Sequence, residues 1–243
     1  MIEKDAVVTT KHGAMPAFIA YPDGAGRFPP VIVYMDAPGI REELRNFARR
    51  IAKQGYFCML PDMYYRNGLL RFDIPRRDDA MSTVIRAAMN TLTNAFVADD
   101  TGGMLQFFDA HEKAAPGPVG CVGYCMSGRY VMTVAGRFPQ RIAAAASLYG
   151  IGLVTDQKDS PHLLAGQIKA EMYFGFAEVD PAVPSSVIPE LTKALDKAGV
   201  RYACETKMGT HHGYCFAERK DYDAVAAEET WTRLFDLWGR NLK

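Results

Sequence analysis

In Pro118-Val119-Gly120-Cys121-Val122-Gly123-Tyr124-Cys125-Met126-Ser127-Gly128 a short apolar run passes without a spacer into a segment that reads as helix to about Phe138. A continuous apolar run is the signature of a buried parallel strand. A nucleophilic side chain at the joint between such a strand and a helix is the pattern of a nucleophile elbow. There the sharp turn strains the backbone, and small residues two before and about two after the nucleophile let strand and helix approach. Gly123 stands two before Cys125; Ser127 stands two after, where glycine is usual, with Gly128 one further on. The turn would lift the Cys125 side chain above the sheet and aim the Met126 amide at the same space. Partial positive charge at a helix N-terminus favours a thiolate and stabilises an oxyanion.

Outward from this turn the chain alternates short apolar runs with longer amphipathic segments, which predicts an α/β sheet with mostly parallel strands. Upstream, Val31–Met35 reads as a central strand. Before it, Ala6–Thr10 and Met15–Tyr21, separated by His12-Gly13, read as an antiparallel edge hairpin. Arg41–Gln54 carries Leu44, Phe47, Ala48 and Ile51 at helical spacing and stops at Gly55. Tyr56–Leu60 is the next strand, 63–79 a polar surface excursion, and 80–93 and about 100–115 are helical. Downstream, strands are expected at Ile142–Leu148, Ala170–Gly175 and Tyr202–Thr206, with helices at Pro184–Ala198 and about Asp221–Asn241. No repeat, low-complexity tract or linker divides the chain, so one domain over residues 1–243 is expected.

The composition is compatible with a large packed core: 243 residues, 49% hydrophobic, with 28 basic against 28 acidic side chains. Zero net charge removes the field that brings proteins to nucleic acid or anionic membranes, so neither partner is expected. No apolar stretch approaches the roughly 18 residues of a membrane span. The start, Met1-Ile2-Glu3-Lys4-Asp5, has no signal-peptide pattern, and the expected compartment is the cytoplasm. Five scattered cysteines, an odd number, read as free thiols rather than a disulfide framework. Cys58, Cys121 and Cys204 read as packing residues. A redox pair of Cys121 and Cys125 is disfavoured, because one lies inside a strand and the other on the turn, which would strain a disulfide.

A thiol on an elbow needs an acid and then a histidine later in the chain. Tyr173-Phe174-Gly175-Phe176-Ala177-Glu178-Val179-Asp180 offers Glu178 and Asp180 beyond a strand; Asp180, ahead of Pro181, is preferred and Glu178 is the reserve. Met208-Gly209-Thr210-His211-His212-Gly213-Tyr214 offers two adjacent histidines after the next strand. His211, His212 and Cys215 are close enough to suggest a metal, but no C-x-x-C or H-E-x-x-H set completes a zinc site, so none is expected.

The elbow cysteine, Asp180 ahead of Val183-Pro184, the His212-Gly213-Tyr214 turn and the closing Asp221-Tyr222-Asp223-Ala224 helix with Trp231 together resemble the dienelactone hydrolase (carboxymethylenebutenolidase) family. The resemblance implies an α/β-hydrolase fold: a mostly parallel central sheet, helices on both faces and an antiparallel N-terminal edge hairpin. It implies a Cys125, His212 and Asp180 triad that cleaves a small-molecule ester or lactone through a thioester, without a cofactor, in a monomer or small homo-oligomer. It also implies an acid contacting the resting thiol, here Asp36 in Met35-Asp36-Ala37-Pro38-Gly39 where the family carries glutamate, and oxyanion amides from Ala37 and Met126. Family members that bind a carboxylated lactone use arginines, one shortly after the histidine. Here Arg219 stands only beyond Tyr214-Cys215-Phe216-Ala217, and Arg71, Arg76, Arg77 and Arg86 lie in the middle segment. The substrate-binding residues are therefore left unassigned. The Ser127 and Asp36 departures keep open an alternative, a non-catalytic small-molecule binding protein on the same fold.

Overall fold

The structure is a computed structural model and describes residues 1–243. Eight strands form one sheet: β1 (Ile2–Thr10), β2 (Gly13–Tyr21), β3 (Pro30–Tyr34), β4 (Phe57–Pro61), β5 (Val119–Tyr124), β6 (Ile142–Leu148), β7 (Glu171–Val179) and β8 (Tyr202–His211). Their spatial order is β1-β2-β4-β3-β5-β6-β7-β8. The β1–β2 hairpin pairs antiparallel and joins the sheet antiparallel to β4; every pair from β4 to β8 is parallel. The expected edge hairpin and parallel sheet are both present. β3, β4 and β5 are buried along their whole lengths, as uninterrupted apolar runs require.

Chain order reverses at β3, which has β4 on one side and β5 on the other. Loops leaving β3 and β5 therefore flank the crevice at the carboxyl ends of the strands, where open α/β sheets bind ligands. Asp36–Gly39 follows β3 and Cys125 follows β5, so topology brings together segments almost ninety positions apart.

The six helices are α1 (Glu42–Lys53), α2 (Asp79–Asn90), α3 (Asn94–Ala110), α4 (Gly128–Arg137), α5 (Val187–Ala198) and α6 (Ala224–Leu242). The apolar stripe of α1 buries Leu44, Phe47, Ala48 and Ile51 as its spacing predicts, and Phe47 meets Trp231 of α6 edge-on, ring centroids 5.2 Å apart. α3 and α4 pack together on the other face of the sheet. Beneath these layers one apolar cluster of 69 buried residues runs from Val8 of β1 to Leu242 of α6, and β8 packs against it through the partly buried Tyr202 and Cys204. No helix is long and apolar enough to cross a membrane.

The boundaries differ from expectation where side chains decide them. α3 begins at Asn94 rather than about residue 100, because the Thr93 hydroxyl accepts the Phe96 amide at 3.1 Å and caps the first turn. The final helix starts three residues late, at Ala224, where the Asp223 carboxylate accepts the Ala226 amide. The excursion over 63–79 contains only two short 3₁₀ turns, over Tyr65–Asn67 and Ile74–Arg76. Arg66 on buried Asp100 and Arg71 on buried Asp62 tie it down.

Candidate active site

β5 ends at Tyr124, a 3₁₀ turn covers Cys125–Ser127, and α4 follows at once. Cys125 has φ +54°, and Tyr149 is the only other non-glycine residue with positive φ. A residue in this left-handed region stores strain and persists only where its surroundings over-determine it. The neighbours of the elbow supply that constraint. A Cβ at Gly123 would lie 2.4 Å from the Ser127 carbonyl oxygen, and one at Gly128 would lie 2.3 Å from Gly150 Cα, so neither position admits a larger residue. Ser127 admits a side chain because its buried hydroxyl donates to the Met35 carbonyl at the end of β3. The departure from glycine thus fastens the elbow to the loop opposite.

That loop is held a second time by Tyr64, whose buried hydroxyl donates to the Ala37 carbonyl at 2.7 Å and lies 3.5 Å from Met126 sulfur. One phenol therefore touches both residues whose amides are the oxyanion candidates. Burial, and then the negative charge of Asp36, keep that phenol well above the ordinary tyrosine range and hence neutral. Tyr64 carries no motif in the sequence. The only available signal is its place beyond Pro61-Asp62 at the carboxyl end of β4.

β7 and β8 run further than expected, to Val179 and His211, and this extension delivers the other two residues. The register of the pair shifts between Ala177 and Val179: Ala177 pairs with Lys207 but Val179 with His211, so β8 carries two extra residues. Gly209 takes φ +76° inside this bulge, and its amide donates to Glu178 Oε2 at 2.6 Å. Glu178, the reserve acid, pins the bulge; Asp180, one residue past the strand, takes the histidine. Nδ1 of His212 donates to Asp180 Oδ2 at 2.7 Å, while His211 is exposed at the strand end. Asp180 Oδ1 also accepts the Ala182 amide at 3.0 Å, which fixes the carboxylate.

Cys125 is near enough to the same imidazole to act on its protonation. Burial pushes His212 down, but the hydrogen bonds and negative charge of Asp180 and of a Cys125 thiolate push it up and prevail, leaving it raised to about 9. The imidazole is thus a cation in the neutral range, with Nδ1 on the Asp180 carboxylate. The other four thiols are free and differently placed. Burial pushes Cys58 and Cys121 far up, Cys204 to about 11 and Cys215 to about 12, which disfavours their thiolates.

The hydrogen bonds of Asp36 go to arginines. The residue is fully buried, and its carboxylate accepts Arg41 Nη1 at 2.5 Å, Arg41 Nη2 at 3.1 Å and Arg219 Nη2 at 2.5 Å. Arg41 is shared with Glu218, and both guanidiniums lie 4.8 Å from the Phe216 ring centre. A buried carboxylate is tolerated when paired in this way. The shorter side chain thus ends in an ion network. Arg219 lies beside the histidine turn, since a Cβ at Gly213 would sit 2.7 Å from its Nη1, and its Nε is buried without a partner. Arg71 and Arg66 are committed to Asp62 and Asp100, and Arg76 is exposed beside Asp73.

A Methylorubrum extorquens protein with the provisional name carboxymethylenebutenolidase is 27% identical over 246 residues, covering 99% of this chain and 81% of its own length. A Bradyrhizobium protein, provisionally named a 2-oxo-3-(5-oxofuran-2-ylidene)propanoate lactonase, is 27% identical over 230 residues, covering 91% of this chain and 88% of its own. A Klebsiella pneumoniae crystal structure, provisionally named a dienelactone hydrolase, superposes with a TM-score of 0.88 at 23% identity and covers 98% of both chains, so the two share a fold. The sequence model of the dienelactone hydrolase family matches residues 15–242, and the chain belongs to that family, within the α/β-hydrolase superfamily.

Proposed function

We propose that this hydrolase of esters or lactones works through Cys125, His212 and Asp180 by way of a thioester. The observation that carries the reading is the His212 imidazole held on the Asp180 carboxylate at 2.7 Å, at the same sheet edge as a cysteine on a strained elbow. The Cys125 thiolate attacks the acyl carbon and forms a C–S bond while the C=O electron pair moves onto oxygen. The Met126 and Ala37 amides are the candidate donors to that oxyanion. Collapse breaks the acyl C–O bond, and the departing alkoxide or enolate takes the imidazolium proton of His212.

Acylation removes the thiolate charge that helped to raise His212, so the imidazole becomes a better base when one is next needed. It takes a proton from water, the hydroxide adds to the thioester, and the C–S bond breaks. Thiolate and imidazolium are restored and a carboxylic acid leaves. A thiolate leaves more readily than an amine, so activated esters and enol lactones suit this site better than amides. The partly exposed Arg219, with its unpaired Nε beside the histidine turn, favours a lactone that carries a carboxylate. The lactonase name of the Bradyrhizobium relative describes such a molecule.

Incubation with p-nitrophenyl acetate tests the reading. One equivalent of product should appear as a burst, with an acetyl group on Cys125 detected by mass spectrometry, and Cys125→Ala should show neither. A Cys125→Ala protein with unchanged turnover would refute the assignment. A folded wild-type protein without burst or turnover would favour the non-catalytic alternative.

A further inference from the structure

Tyr149 is the second non-glycine residue with positive φ, at +38°, and a bulky aromatic residue rarely adopts that conformation. It stands immediately after β6, on the same sheet edge as the elbow. Three contacts impose the conformation. Its amide donates to the Gly175 carbonyl of β7 at 2.6 Å. Gly150 after it is pressed on the elbow helix, since a Cβ there would lie 2.9 Å from Gly128 Cα. The Ile151 amide then donates to the Cys125 carbonyl at 3.0 Å. A three-residue segment therefore braces the backbone of the strained cysteine from behind.

The same strain aims the Tyr149 ring at His212. The phenol is fully buried, its centroid lies 5.1 Å from the imidazole centroid at 63°, and Tyr214 supports it at 5.2 Å and 70°. Its hydroxyl is buried without a hydrogen-bond partner. A buried hydroxyl without a strong partner is not what retains the residue here. The ring face and its angle are. Two groups thus fix the imidazole: Asp180 at Nδ1 and the Tyr149 ring, T-shaped to it at 5.1 Å.

We propose that Tyr149 is a positioning residue for His212, its ring fixing the imidazole plane so that one nitrogen stays on Asp180 while the other faces Cys125. Because the ring and the Cys125 brace belong to one strained segment, nucleophile and base are set by a common support. The inference rests on the Cys125–His212 reading above.

The test compares Tyr149→Leu and Tyr149→Phe with His212→Ala in p-nitrophenyl acetate turnover and in the pH dependence of iodoacetamide alkylation at Cys125. Tyr149→Leu should lower kcat about 10- to 100-fold at little-changed KM. Its alkylation midpoint should move up in pH toward that of His212→Ala, as the thiolate loses an aligned imidazolium. Tyr149→Phe keeps the ring and should match wild type in both. If the Leu variant does not fold, Tyr149→Met makes the same comparison. A folded Leu or Met variant with wild-type kcat and alkylation profile overturns the proposal. So does a loss that tracks only the fraction of unfolded protein, with the profile unmoved, or a Phe variant as impaired as Leu. Full activity in His212→Ala would instead overturn the triad itself, so the two failures are distinguishable.

Discussion

The carboxyl end of β5 and the carboxyl end of β8 both deliver a reacting side chain, by different means. At β5 the residues that shape the turn lie within six positions, although they meet distant segments: Cys125 is strained, Gly123 leaves room for Ser127 and Gly128 for Gly150, and Ser127 ties the turn to Met35. At β8 the histidine arrives through two extra residues whose placement depends on Glu178 of the neighbouring strand and on Asp180 beyond it. A steric turn is encoded where it occurs, whereas a bulge is encoded partly in the strand beside it. Variants at the two ends should therefore fail differently.

The largest effect expected at the β8 end is His212→Ala, which should lower kcat/KM about 10³-fold or more, by analogy with other triads. His211→Ala, at an exposed strand end, should stay close to wild type in the same ester assay; the opposite ranking would exchange their roles. Asp180→Asn should follow, with a loss of roughly 10²–10⁴-fold, since the imidazole loses its orienting acceptor. It should also move the His212 titration, followed by imidazole NMR, down from about 9, because the hydrogen bond and charge of Asp180 help to raise it. Stability carries the same sign: a folded-state pKa raised from 6.5 to about 9 contributes stability in full below about 6.5, and this is lost as pH rises through about 9. Urea unfolding of the wild type over that range should show the loss, and Asp180→Asn should flatten it.

Glu178→Gln sharpens the comparison, because it removes the charge that pins Gly209 while leaving every reacting group in place. Misplacing the histidine by a fraction of an ångström should lower kcat about tenfold, within the roughly 10²-fold expected for a 1 Å error. Unchanged kcat would mean that the bulge holds without Glu178. The smallest effect belongs to the β5 end. Ser127→Gly restores the usual elbow residue but removes its bond to Met35, and should cost about 1 kcal/mol in chemical denaturation. An unaltered unfolding midpoint would show that the local sterics suffice.

Much of the site was legible because its chemistry repeats short patterns. Gly123, Cys125 and Gly128 mark the elbow; Asp180 before Pro181 and His212 before Gly213 sit just past strands. Asp180 was preferred over Glu178 from the proline-closed loop that follows it, but choosing His212 over His211 needed either the family resemblance or the structure, because strand ends cannot be placed to one residue from an apolar pattern. β7 and β8 both ran on past their predicted ends, and that overrun put Glu178 and His211 on the strands and the other two beyond them. Asp36 shows the opposite case. Its position was readable, but its partners, Arg41 and Arg219, lie five and 183 residues away, and nothing local announces the second.

By itself, the sequence determined the parallel sheet, the edge hairpin, the strand-to-helix turn at Cys125 and the strand ends near Asp180 and His212, because hydrophobic period and turn sterics act over a few neighbouring residues. Only the tertiary structure decided which acid meets which histidine, that Asp36 ends in a guanidinium network, and that Tyr64 and Tyr149 support the site. Those outcomes depend on pairing register and on contacts between loops that the strand order alone brings together, and neither is written in any one segment of the chain.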